Sequence, residues 1–269
     1  MKIKDVICAL EKFAPLPLQE SYDNAGLQIG LTEAEVSGAL LCLDVTEAVL
    51  EEALRMDCNM VISHHPLLFH GVKVVSDSTQ VERCLRIAVK HDLCIYSAHT
   101  NLDNAIDGVN YRIAERLGLI DVELLQPRIV KVRDAHGERS VRAGSGVLGY
   151  LPMAEDSMRF LERVKDTFGC QCLMHNEPLQ RRIQCVAICG GAGDFMIDEA
   201  IRRDADAFIT GEMHYHTYMG HEQQLQLAVT GHYESEQYTT SIFMDILSAA
   251  LPRLPLYLSE TNTNPIHYL

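Results

Sequence analysis

Short apolar runs recur along the chain, each bounded by polar or turn-forming residues. Ala39–Leu43, Met60–Ser63 and Leu93–Ala98 fall in the first half, Cys185–Cys189 and Leu225–Val229 in the second. Runs of this length with such flanks read as buried strands. The stretches between them carry apolar residues at helical spacing. Helices are predicted over 3–13, from a cap at Thr46 to Met56, over 79–91, over 106–117 with Gly118 as the stop, and over 154–168, where Met158, Leu161 and Val164 share a face. This alternation predicts an α/β protein with mostly parallel sheets covered by helices. Residues 21–30 (SYDNAGLQIG) read as a turn-rich loop with tight local hydrogen bonding around Asp23 and Asn24. Residues 119–150 change character: charges thicken in KVRDAHGERSVR, and strands with exposed loops are expected. Residues 182–247 return to the β-α-β pattern, and 251–258, broken by Pro252 and Pro255, read as a last strand or extended tail.

The two halves resemble one another. EALRMDCNMVIS (52–63) and EAIRRDADAFIT (199–210) lie 147 residues apart (199 − 52) and are identical at five of twelve positions. His99-Thr-Asn-Leu-Asp103 is echoed by His232-Tyr-Glu-Ser-Glu236, each a histidine, three residues and a carboxylate after an apolar run. We read two similar α/β lobes from an internal duplication, facing one another across a cleft; the period is too long for a solenoid. The expected division is 1–125 as the first lobe with His64, His65 and Asp103, completed by the C-terminal segment. Residues 126–181 are then a connecting segment, 182–250 the second lobe with His232 and Glu236, and 251–269 a C-terminal tail.

The chemistry-bearing residues gather where strands end. Side chains next to each other on a strand point to opposite faces. His64 and His65 therefore meet one site only if the chain bends there, and Pro66 forbids a regular continuation. Open α/β sheets place their ligands at the carboxyl ends of the strands, where Asp103, His232 and Glu236 also stand. Three histidines and two carboxylates without cysteine suit Zn, Mn, Fe, Co or Ni. Five such groups fit two divalent cations better than one, so a dinuclear site in the cleft is expected. The copies differ: where the first has His64-His65, the second has Gly211-Glu212, followed by His214 and His216. Glu212, His214 and His216 are expected near the metals or substrate. His99 is read either as a group that supports the ligands from behind or as a catalytic proton-transfer group, not as a sixth ligand.

Composition narrows the partners. Formal charge is −14 with pI near 5.2, which argues against a nucleic-acid backbone as partner. A phosphorylated small molecule stays open, because bound cations reverse the local field. Nine scattered cysteines without a CxxC pair suit a reducing cytoplasm. MKIKDVICALEKFAP reads as a folded amphipathic helix, not a signal peptide, and no apolar run has the length of a membrane span. Two glycine motifs remain. Gly144-Ser-Gly146-Val-Leu-Gly149 matches GxGxxG but runs into Pro152, so it does not open a helix as a dinucleotide fingerprint must. GGAGD (190–194) follows a strand and precedes a helix; it is either a phosphate cradle or, the favoured reading, a tight turn.

YDNAGLQIG, SHHPLLF, HTNLD, GSGVLGYLP, GGAGD, ITGEMHYH and GHYESE together resemble the Nif-three-like family, whose bacterial members are called GTP cyclohydrolase 1 type 2 homologues. The likeness runs along most of the chain. It implies two α/β domains, a dinuclear centre on His64, His65, Asp103, His232 and Glu236, and a toroidal homohexamer. Some members carry a long insertion between the lobes, for which 119–181 is too short. Tyr22 stands where Trp is usual, and Glu212-Met213-His214 where Asp-x-Lys is more common, which alters charge near the expected cleft. The function expected is a metal-dependent hydrolase of GTP or another phosphorylated small molecule. The alternative is a non-catalytic metal-handling or regulatory scaffold protein.

Overall fold

The computed structural model describes residues 1–134 and 137–269. The chain forms two compact units, Met1–Leu102 with Thr239–Pro265, and Asp103–Tyr238 with Ile266–Leu269. Each is built on its own sheet. Among the described residues no helix is long and apolar enough to cross a membrane.

In the first unit β2 (Ala39–Cys42), β3 (Met60–Ser63) and β4 (Cys94–Ser97) run parallel, and every residue in them is buried. Strands covered on both faces are expected to be continuously apolar, as these are. β1 (Gly26–Ile29) adds antiparallel to β4, inside what the sequence reads as a loop, and β11 (Leu256–Leu258) adds parallel to β2. Leu40, Val61 and Ile95 pack with Val49, Leu50 and Ala53 of α2 (Glu47–Arg55) and with Cys84 and Ala88 of α3 (Gln80–Lys90). The alternate residues Leu41, Ile62 and Tyr96 are also fully buried and so face the other side. There α9 (Thr239–Ala250) packs against β2, β11 and α1 (Ile3–Phe13). Thr46 and Thr79 cap α2 and α3, each hydroxyl accepting an amide of the first turn at 3.3 Å.

In the second unit β8 (Ile183–Cys189), β9 (Ala207–Thr210) and β10 (Gln226–Val229) are parallel, with β7 (Met174–His175) antiparallel on β10. Two long strands, β5 (Ile120–Asp134) and β6 (Gly137–Glu155), pair antiparallel, and β6 joins β8 antiparallel. Hence the mostly parallel expectation holds for the first sheet and fails for the second, which is mixed. The segment expected as a connection, 126–181, holds part of β5, all of β6, α6 (Ser157–Phe168) and β7. The described part of its charged stretch, 131–134 and 137–142, lies in two strands that pair with each other; residues 135 and 136 lie outside the described residues. Asp103, placed by the sequence in the first lobe, is the first residue of the second unit. Ala187, Phe208 and Leu227 pack on Ile197 and Ala200 of α7 (Ile197–Arg202). On this sheet α5 (Val109–Leu117) contacts β6, β8 and α6.

Some local features recur in both units. Strand order is β1-β4-β3-β2 in one and β7-β10-β9-β8 in the other. At the exit of α2 the amides of Met56, Asp57 and Cys58 bond the carbonyls of Glu52, Leu54 and Ala53. At the exit of α7 those of Arg203, Asp204 and Ala205 bond Glu199, Ile201 and Ala200, the same pattern 147 residues on. Asp57 and Asp204 share a left-handed backbone, φ 55° and 53°. Asn59 Oδ1 accepts the Ser37 amide and Asp206 Oδ2 that of Gln184, both at 2.9 Å.

Candidate metal centre

The bend that the histidine pair requires is present. After β3 the amides of His64 and His65 both donate to Leu43 O, at 3.1 and 3.0 Å. Ser63 Oγ closes the turn on His65 O at 2.9 Å. Successive amides aimed at one carbonyl turn the chain out of the sheet, so the two rings no longer face opposite ways: their centroids are 4.9 Å apart. His99 follows β4, and its ring lies 5.2 and 5.4 Å from those of His64 and His65. The first unit thus brings His64, His65 and His99 together in a group able to hold a metal ion.

Each ring is oriented through Nδ1. His64 Nδ1 lies 2.8 Å from Ala98 O, and His65 Nδ1 lies 2.7 Å from Asp44 Oδ1. His99 Nδ1 lies 2.8 Å from Asp23 Oδ1. A carbonyl or ionised carboxylate only accepts, so Nδ1 carries the proton and the ring offers Nε2 as lone pair. Burial raises the Asp23 carboxyl, but the hydrogen bonds from His99 and Thr100 outweigh it and hold it at about 2. At Asp44, too, burial is outweighed by His65 and Thr263, leaving the carboxyl below its usual range. Both are therefore ionised at neutral pH. A carboxylate or carbonyl behind each imidazole is the usual surrounding of metal-binding histidine.

In the second unit α8 (His232–Glu236) follows β10 after Thr230 and Gly231. One helical turn sets His232 Nε2 3.0 Å from the buried Glu236 Oε2, while His232 Nδ1 lies 3.0 Å from Glu212 Oε1. A 3.0 Å nitrogen–oxygen edge suits two donors on one cation at about 2.0–2.1 Å each. The turn after β9 repeats that after β3: Gly211 and Glu212 amides both donate to Gly191 O at 2.9 Å. Here glycines are required. A Cβ on Gly191, with φ +57°, would sit 2.3 Å from Glu236 Oε1; one on Gly211 would sit 2.8 Å from Ser235 Oγ. So close packing of α8 explains why this unit has Gly211 where the first has His64. Asp103 ends α4 (Thr100–Asp103), and its carbonyl accepts from Asn110 Nδ2 at 3.1 Å.

Other expected residues fall elsewhere. His214 is exposed and pairs with Asp194 at 3.1 Å, and His216 is exposed beside the Tyr215 ring. Three amides of GGAGD already have acceptors: Gly190 on Asn110, Gly191 on Ser235 and Gly193 on Thr210. The loop is therefore the favoured tight turn, seating α8 and not cradling a phosphate. Gly144–Gly149 lies inside β6, which bears out its rejection as a dinucleotide fingerprint. Sequence reasoning missed Asp44 and Thr263 and gave Asp23 only a local role. Asp44 lies two residues past the end of β2, so the strand-end rule that found the histidines also points to it.

A profile of the family described as Duf34/NIF3 (NGG1p interacting factor 3) matches residues 1–265. A Clostridium acetobutylicum protein named GTP cyclohydrolase 1 type 2 homolog is 31% identical over 274 residues, covering 100% of this chain and 99% of that protein. A Lactococcus lactis protein of the same name is 29% identical, with 99% of each chain covered. The crystal structure of Staphylococcus aureus protein SA1388 superposes with a TM-score of 0.90 at 26% identity, covering 100% of this chain and 99% of that one. The fold, the strand-end motifs and these matches agree: the chain belongs to the Duf34/NIF3 family.

Proposed function

We propose that this chain is a metal-dependent hydrolase, similar in activity to what the relatives' name states, acting on GTP or another phosphorylated small molecule. Two divalent cations (Zn, Mn, Fe, Co or Ni) are held by His64, His65, Asp103, His232 and Glu236. The observation that carries the reading is the shared orientation of His64, His65 and His232. Each has an oxygen acceptor at Nδ1, which leaves Nε2 for a metal; at His232 that metal would sit between Nε2 and Glu236 Oε2, 3.0 Å apart.

When bound, the cations supply Lewis acidity and bring the ionisation of water toward neutral pH. The residues do the rest. His99, locked by Asp23, presents Nε2 to take a proton from the attacking water and return it to the leaving group. In a chain of charge −14, the nearby histidines, with cations when bound, would offset the charge of the substrate's phosphates. Glu212 Oε1 lies 3.0 Å from His232 Nδ1 and steadies that ring; contact of His214 and His216 with substrate belongs to this proposal. The two lobes descend from one duplicated α/β unit, supported by the common strand order and the bonds repeated 147 residues apart. A toroidal homohexamer is part of the same reading, and light scattering of the purified protein tests it.

The activity is tested by supplying the purified chain with Mn²⁺ or Zn²⁺ and screening nucleotides and phosphoesters. Slow turnover stopped by chelation is expected. Full metal loading without turnover of any of them would favour metal handling or a scaffold role.

A further inference from the structure

The C-terminal segment after β11 is fastened by two carboxylates. Ser259 Oγ and Thr261 Oγ1 donate to Glu52 Oε2 at 2.6 and 2.7 Å, and the Glu260 amide donates to Glu52 Oε1 at 2.8 Å. Ser259 N continues the strand pairing onto Leu41 O at 2.9 Å. Two residues beyond Thr261, the Thr263 hydroxyl donates to Asp44 Oδ2 at 2.7 Å. The other oxygen of that carboxylate, Oδ1, takes the Nδ1 proton of His65, also at 2.7 Å. Asp44 is thus held at both oxygens, by a tail hydroxyl on one side and an imidazole on the other.

A carboxylate turns readily about its last torsion unless both oxygens are fixed. The Asp44 side chain is 35% exposed, so water competes for whichever oxygen is released. We propose that Thr263 is a positioning residue of the metal centre: it holds the Asp44 carboxylate in the plane that fixes the His65 ring and its tautomer. The tail then contributes to metal affinity without supplying a ligand, and Glu52 contributes by fastening the tail four residues earlier. The geometry calls for a hydroxyl at position 263. Valine keeps the shape and loses the donor, whereas serine keeps the donor. The inference rests on the reading of His65 as a metal ligand, and the test separates the two.

Zn²⁺ affinity is measured by competition with a chromogenic chelator for the full chain and for Thr263→Val, Thr263→Ser and His65→Ala. Urea midpoints are taken for the same proteins without metal. Loss of an outer hydrogen-bond partner weakens metal binding by about 10-fold or more. Thr263→Val is expected to do so with an unchanged urea midpoint, and Thr263→Ser to bind as the parent does. Unchanged affinity in Thr263→Val alongside weakened binding in His65→Ala overturns the role of Thr263 alone. Serine as weak as valine, or a midpoint that falls with the affinity, also overturns it. Unchanged affinity in His65→Ala overturns the metal-centre reading itself.

Discussion

Asp23 grips His99 and the residue after it with separate oxygens. Oδ1 lies 2.8 Å from His99 Nδ1, while Oδ2 accepts the Thr100 amide at 3.0 Å and its hydroxyl at 2.5 Å. The Asp23 side chain has no exposed surface. The YDN motif, read from the sequence as a tight loop, therefore acts across the fold on a histidine 76 residues away.

Asp23→Asn makes this contact testable. An amide presents one NH₂ group, so a donor must face either His99 Nδ1–H or the two Thr100 donors. Stability is expected to fall by about 1–3 kcal/mol. Turnover of the substrate found in the screen is expected to fall about 10²-fold, with metal content unchanged. Kinetics and elemental analysis on the same sample check this; loss of metal instead would make His99 a ligand.

Gly191→Ala places a methyl group 2.3 Å from Glu236 Oε1, at a backbone φ of +57°. Backbone strain alone is worth about 1–3 kcal/mol, and the clash displaces the carboxylate. The expected outcome is a lower urea midpoint together with weaker metal retention. A variant with the parent's midpoint and metal content would contradict the packing described for α8.

Glu52 gives a pH dependence. Burial raises its carboxyl, but Ser259, Thr261 and the Glu260 and Thr261 amides outweigh it, so the folded value lies below the usual carboxylate range. For a depressed carboxyl, the stabilisation is present above the unfolded-state value. It is lost as pH falls through the folded value. Glu52→Gln is therefore expected to be less stable than the parent by about 2 kcal/mol at pH 7, with the gap closing in acid. Urea midpoints across that range decide it; a gap independent of pH would contradict the assignment.

Much of this was legible in the chain. Met60–Ser63 and His64-His65 could be read because a short, wholly buried parallel strand is continuously apolar and ends abruptly. The 52–63 and 199–210 similarity was visible because helix exit and strand entry depend on local bonds that both units keep. β1 was hidden: its four residues form an edge strand whose pairing partner, β4, is distant in sequence. β5 and β6 were read as strands with loops, but not as one long pair, because most of 126–133 and 137–142 is exposed and carries no core signal. Asp44 and Thr263 lie 219 residues apart, and only folding shows that the tail returns to the site.

The central claim is that one chain holds two metal ions on five residues. Elemental analysis of the purified chain, saturated with Zn²⁺ and dialysed, measures this directly. About two ions per chain are expected, falling below one in Asp103→Asn and in Glu236→Gln, and about one lost in His65→Ala. No retained metal in the parent protein, or full retention in the Asp103 and Glu236 variants, would contradict the account.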